Sequence, residues 1–156
     1  MAGNDEDTVV SSEQSGIAVR RATTRDAEAV CALLRQLGYT ASAKDTAGRI
    51  RQSARSPRAF LAVATAGKTV VGVVSAVVSP YFPDGTDLCR VTALVVDQAR
   101  RGGGIGEALL DGALDFARQS GCAAVEVTTA NARDRAHRFY EKMGFDQTSL
   151  RFYRAL

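Results

Sequence analysis

The sequence predicts one mixed α/β domain with elements in the order β-α-α-β-β-β-α-β-α-β. Three observations lead there. β-branched runs alternate with stretches whose apolar residues recur at helical spacing. Glycines stand where those helices should stop. A chain of 156 residues that is 46% hydrophobic also carries enough apolar side chains for one sizeable core.

Residues 1–16 hold Asp5, Glu6, Asp7 and Glu13 and no base. They lack the basic start and apolar centre of a secretory signal, and predict a flexible acidic tail ahead of a domain over residues 17–156. Ile17 to Arg20 alternates like a short strand, and Thr23-Thr24-Arg25-Asp26 offers a capping hydroxyl and an early acid for a helix start. Ala27, Val30, Leu34 and Leu37 line one face of that helix, which Gly38 ends. Ser42 to Arg55 predicts a more polar second helix, stopped by Pro57. Ala59–Thr65 and Thr69–Ser79 are strand runs joined through Ala66-Gly67-Lys68, a hairpin spacing.

Pro80, Pro83 and Gly85 predict a loop, and Leu88–Val96 a buried strand. From Gly104 the period becomes helical: Ile105, Leu109, Ala113 and Ala117 share one face, Glu107, Asp111 and Asp115 another, and Gly121 closes the helix. Ala123–Thr129 predicts a strand, Ala132–Met143 a helix ending at Gly144, and Leu150–Tyr153 a last strand.

Composition narrows the function. The most apolar run, Val70–Val78, is short and contains Gly72 and Ser75, so no membrane span is expected. Cys31, Cys89 and Cys122 are odd in number and form no Cys-x-x-Cys pair. This suggests neither a disulfide framework nor a metal site, and fits reduced thiols in a cytoplasmic protein. The formal net charge is +3, and the tail contributes only acid, so the domain itself is more basic still. Basic charge without interleaved aromatics does not single out nucleic acid, because a phosphate-rich cofactor uses the same field.

The segment Val95-Val96-Asp97-Gln98-Ala99-Arg100-Arg101-Gly102-Gly103-Gly104-Ile105-Gly106 runs from a buried strand through a glycine turn into a helix. Glycines let the backbone approach a ligand closely, the first N–H groups of a helix lack intrahelical partners, and its dipole favours an anion. Arg100 and Arg101 add positive charge. A Gly-x-Gly-x-x-Gly frame fails, since glycine would be needed at Glu107 or Leu109, and no Gly-Lys-Ser/Thr ending is present.

What the segment resembles is the cofactor motif of the GNAT superfamily of N-acetyltransferases, Arg/Gln-x-x-Gly-x-Gly/Ala, met by Arg101, Gly104 and Gly106 after the strand Leu94-Val95-Val96. The resemblance continues at Asn131-Ala132-Arg133-Asp134-Arg135-Ala136-His137-Arg138-Phe139-Tyr140-Glu141-Lys142-Met143-Gly144-Phe145, similar to the family's helix ending in Tyr-Glu-Lys-x-Gly-Phe. The specific match covers residues 94–145, and the variant around Tyr140 is most similar to small-molecule enzymes of the aminoalkylphosphonate type.

The resemblance implies the GNAT fold, a mixed central sheet flanked by helices. It also implies acetyl-CoA as co-substrate and transfer of its acetyl group to a primary amine. In it, Arg101, Gly102, Gly103, Gly104, Ile105 and Gly106 hold the pyrophosphate. Leu94, Val95 and Val96 pair with the pantetheine and meet the oxyanion, and Asn131 contacts the cofactor or caps its helix. Tyr140 serves the departing thiolate. With ordinary values near 10 for tyrosine and about 8.5 for a thiol, full proton transfer is uphill by roughly 2 kcal/mol, so hydrogen-bond stabilisation is the firmer role. His137 reads as structural.

The strand 88–94 lacks the glutamate that serves many relatives as base; Asp84 and Asp87 are the nearest acids, and water held by Thr92 or a backbone carbonyl is the remaining choice. The expected partner is a small-molecule amine, with no nucleic acid, membrane or metal, and a homodimer is compatible with the fold. Aminoglycosides are an alternative, for which Asp45, Asp84 and Asp87 would supply an acidic cleft. A protein or peptide amine, or a non-catalytic CoA-binding module, completes the choices.

Overall fold

A computed structural model describes residues 16–129 and 134–156 of the chain. The acidic tail, apart from Gly16, and Asn131 lie outside the described residues. The chain forms two compact units, Met1–Glu126 and Val127–Leu156. In order come β1 (Ile17–Arg21), a 3-10 turn (Thr24–Asp26), α1 (Ala27–Gln36), α2 (Ala43–Ala54), β2 (Ala59–Ala66), β3 (Thr69–Tyr81) and β4 (Thr86–Val96). A second 3-10 turn (Gln98–Arg100), α3 (Ile105–Gln119), β5 (Ala124–Val127) and α4 (Asp134–Lys142) follow. Among the described residues no helix is long and apolar enough to cross a membrane.

The five strands form one mixed sheet in sequence order, β1 through β4 as an antiparallel meander and β5 at the edge beside β4. Residues opposite one another in a ladder share a face. On one face Val63, Val73 and Val95 meet Val30, Leu33 and Ile50 of α1 and α2 in one core. On the other lies α3, with Leu109 and Leu110 fully buried. α3 lies close because Gly72 has no side chain: a Cβ there would stand 2.8 Å from Leu109 Cδ1 and 3.0 Å from the Val95 carbonyl. Burying each such Leu or Val contributes roughly 1.5–3 kcal/mol.

The start of α1 is pinned as its sequence suggests. Arg20 donates from both terminal nitrogens to the Asp26 carboxylate, each at 2.8 Å, and the Thr23 N–H donates to the same group at 2.8 Å. Those bonds, the Arg20 pair first, hold the Asp26 carboxyl below its ordinary range despite its burial. Ser42 caps α2, its hydroxyl oxygen accepting from the Asp45 N–H.

Two expectations need correction. Pro80 does not begin a loop, because β3 continues to Tyr81 and β4 starts at Thr86, with Pro80 opposite Asp87. A proline at a strand end loses only a ladder donor, which the long β3–β4 ladder tolerates. The last strand, Leu150–Tyr153, does not form: residues 145–156 hold neither helix nor strand, and Leu150, Phe152, Tyr153 and Leu156 are exposed. Alternation gives a segment two faces, but only a paired edge makes it a strand.

Candidate active site

Every residue of the glycine-rich turn lies in the first unit. β4 ends at Val96, and the Asp97 side chain accepts from the Ala99 N–H at 3.2 Å, opening the 3-10 turn. Gly102 and Gly104 then take φ of +92° and +77°, which L side chains rarely adopt, and Gly104 stands at the N-cap of the 15-residue α3. Cβ positions built on Gly102 and Gly104 have nothing within 4 Å, and one on Gly103 meets only the Arg100 carbonyl at 3.9 Å. The turn is therefore an open cradle of bare backbone at a helix N-terminus, with Arg100 and Arg101 exposed beside it. Arg101 Nε donates to the Val96 carbonyl at 3.3 Å, tying the turn to the strand end.

Sequence reasoning missed one brace of this turn. Gln36, at the end of α1, donates from Nε2 to Asp97 Oδ1 at 3.3 Å and accepts from the Gln98 N–H at 2.9 Å. No local signal could have found it, since its partners are 61 and 62 residues away.

Two residues before Leu94 the β3–β4 ladder slips: Ser75 faces Ala93 and Ala76 faces Val91, so Thr92 is the extra residue of a β-bulge. The Thr92 hydroxyl donates toward Ser75 Oγ at 3.0 Å and the Ser75 carbonyl at 3.2 Å. Ser75 has the parity of Val73, so this hydroxyl pair lies on the α1/α2 face, where helix cover thins: Val73 is buried, Ser75 half-buried and Val77 exposed. Arg90, opposite Val77, is on the same face and pairs with Glu126 of β5.

The acids nearest the strand are already engaged. Asp87 accepts from Arg58 Nη2 at 2.8 Å. Asp84 accepts from the Thr86 hydroxyl at 2.7 Å and N–H at 2.9 Å, which hold its carboxyl below the ordinary range. Neither is a free base. Burial first, and the neighbouring Cys122 second, push the Cys89 thiol up to about 11, so it stays protonated at neutral pH and is no nucleophile. Cys31 donates its S–H to the Ala41 carbonyl in the core. Among the described residues no His/Cys/Asp/Glu group could hold a metal ion.

Tyr140 belongs to the second unit. There α4 ends with the Gly144 N–H on the Glu141 carbonyl at 3.0 Å and the Phe145 N–H on the Tyr140 carbonyl at 2.9 Å, the two bonds of a Schellman cap. The Phe145 ring meets Tyr140 edge-on, centroids 5.7 Å apart, and Phe139 flanks Tyr140 at 5.2 Å. The run Tyr-Glu-Lys-Met-Gly-Phe is thus a helix stop with its apolar clasp, and it fixes the ring of a half-buried tyrosine. A separate cavity of about 500 Å³ lies between the end of α2 and β2, lined by Arg21, Ile50, Arg55 and Leu61, and touches none of the turn or bulge residues.

A meander carrying a basic, glycine-lined helix start at the end of β4, with no thiolate nucleophile beside it, defines an α/β protein built to receive an anionic co-substrate. Comparison with known proteins gives the family. The acetyltransferase (GNAT) family matches residues 21–145, and the chain belongs to it. It is an N-acetyltransferase that uses acetyl-CoA.

The chain is 32% identical over 143 residues to an aminoalkylphosphonate N-acetyltransferase of Salmonella typhimurium, covering 88% of this chain and 90% of that one. In fold it is similar to a glucosamine-6-phosphate N-acetyltransferase from Arabidopsis thaliana, with TM-score 0.79, 19% identity, and 90% and 99% of the two chains covered. It is also similar to an aminoglycoside N-acetyltransferase in complex with CoA, with TM-score 0.80, 16% identity, and 94% and 99% covered.

Proposed function

We propose that the protein acetylates the primary amine of a small molecule by direct attack of the neutral amine on the thioester of acetyl-CoA. The observation that carries this reading is the bare-backbone cradle Arg101–Gly106 at the start of α3, directly after Leu94-Val95-Val96. In it, the N–H groups of the turn and the Arg100 and Arg101 charges hold the pyrophosphate, and N–H groups from Leu94 to Val96 meet the oxyanion. The Tyr140 hydroxyl hydrogen-bonds the departing thiolate, and Asn131 contacts the co-substrate or caps its helix. The likeness to an aminoalkylphosphonate enzyme over nearly the whole chain supports a small acceptor. An aminoglycoside acceptor is the second reading, favoured by fold neighbours. It would need a free acidic floor, but Asp45 and Asp84 accept local hydrogen bonds and Asp87 is paired with Arg58.

The test follows free thiol while acetyl-CoA is incubated with aminoalkylphosphonates, polyamines, aminoglycosides and peptides. Tyr140→Phe keeps the ring between Phe139 and Phe145, so stability should hold while kcat falls on the order of 10² to 10⁴. Wild-type turnover by that variant would make Tyr140 a packing residue alone. Gly103→Ala is the matching probe of the cradle, since Gly103 has no positive φ and room for a methyl. It should fold, and its acetyl-CoA KM should rise by roughly tenfold because the methyl crowds the pyrophosphate away from the N–H groups of the turn. An unchanged KM would remove the turn from the co-substrate site.

A further inference from the structure

We propose that the open end of the α1/α2 sheet face is the acceptor seat, built for an amine that carries its own acid group. Arg90 takes the acid, and the Ser75–Thr92 hydroxyl pair takes the amine. The inference rests on the acetyltransferase reading above and names its substrate class.

Glu126 Oε1 accepts from both Arg90 Nε, at 2.8 Å, and Arg90 Nη2, at 2.7 Å. A guanidinium has five N–H groups in a planar fork. This one-sided grip uses one edge and presents Nη1 and the outer hydrogen of Nη2 together, the geometry that binds a carboxylate or phosphonate bidentately. The Arg90 side chain is 55% exposed, which leaves room for a ligand at the guanidinium. Glu126 is the positioning residue: it fixes the plane of the fork and does not itself meet the ligand.

The hydroxyl pair supplies the other end. Because the Thr92 hydroxyl gives its proton toward Ser75, both oxygens retain lone pairs able to accept from an amine N–H. The bulge places Thr92 two residues before Leu94, roughly 5 Å along the strand because the extra residue adds no step on β3, next to where the thioester would lie. Arg90 is two residues further along the same face, again roughly 5 Å, since Arg90 and Leu94 stand opposite Val77 and Val74. An amine and an acid joined through one to three carbons span on the order of 4 to 5 Å. With a hydrogen bond at each end, such a molecule bridges the hydroxyl pair and the fork. An amine of the same length without the acid leaves the fork unused, and a polycation meets Arg90 as repulsion.

The experiment compares 2-aminoethylphosphonate, β-alanine and n-propylamine as acceptors at saturating acetyl-CoA, following free thiol. Wild type should prefer both acids to propylamine. Arg90→Gln should lower the ratio of kcat/KM for acid over propylamine by roughly 10- to 100-fold, mainly through KM. Arg90→Lys, which keeps the charge and loses the fork, should fall in between and guards against a folding defect in the first variant. Glu126→Gln should lower the same ratio by a few-fold, a shift that mere bracing of the sheet would not produce. A larger loss for the phosphonate than for β-alanine assigns a dianion to the fork, a larger loss for β-alanine a carboxylate, and equal losses show that the fork takes either acid.

If both Arg90 variants keep the wild-type ratio, or slow all three amines equally, Arg90 is a sheet brace and the proposal fails. Wild-type preference for propylamine over both acids also overturns it, with the acetyltransferase reading intact. Should wild type bind acetyl-CoA and acetylate no amine at all, the acetyltransferase reading itself is what fails.

Discussion

The two faces of strands β3 and β4 are made from alternate residues of the same two strands and end up differently. Against α3, Val74, Ala76, Val78, Cys89 and Val91 are all at 5% exposure or less. On the α1/α2 face the cover lasts through Val73 and Val95, then gives way to Ser75, Val77, Arg90 and Thr92. A 15-residue helix spans about 22 Å and so shields the whole width it crosses, whereas α1 with 10 residues reaches about 15 Å. Polar and charged side chains collect where helix cover stops. The closed face supplies stability, and the half-open face is where the proposed acceptor seat lies.

A pair of substitutions should break that symmetry most sharply. Leu109→Ala, at a fully buried position on the closed face, should cost about 3–4 kcal/mol in urea unfolding while leaving acceptor preference as it was. Thr92→Val on the open face should move stability by less than about 1 kcal/mol and yet lower acceptor kcat/KM several-fold. Equal stability losses would mean that the open face is packed as firmly as the closed one.

A smaller effect tests how the partial cover is held down. Asp26→Asn should cost about 1–2 kcal/mol at neutral pH, since Asp26 gathers Arg20 and Thr23 at the start of α1. Its carboxyl is depressed in the fold, so this stability is complete above the unfolded carboxylate range and is lost as pH falls through the folded value. The gap between wild type and variant should therefore close in acid; a gap constant down to pH 2 would show that the ion pair is not its source.

The smallest effect lies on the outer side of α3. Burial first, then Asp115 and Glu107, raise the Asp111 carboxyl above its ordinary range. For an acid raised in the fold the ionised form is the destabilising one. Asp111→Asn should thus gain about 0.3–0.5 kcal/mol at neutral pH, with the gain vanishing as the wild-type acid protonates. Thermal unfolding at two pH values measures it.

Much of the molecule follows from the sequence by itself. Helical periods, capping residues and the glycines at 38, 121 and 144 locate the ends of α1, α3 and α4 within a residue or two, because caps and stops are local backbone chemistry. The glycine turn was legible for the same reason: positive φ and a bare helix start are properties of a few adjacent residues. Tertiary structure alone decided what depends on a distant partner. It carried β3 through Pro80 by pairing it with β4, and left Leu150–Tyr153 unpaired. It also slipped the ladder at Thr92 against Ser75, brought Gln36 to the turn, and set Glu126 on Arg90. Alternation fixes which side chains share a face, but register, cover and charge pairing are set between elements far apart in the chain, and no local pattern encodes those distances.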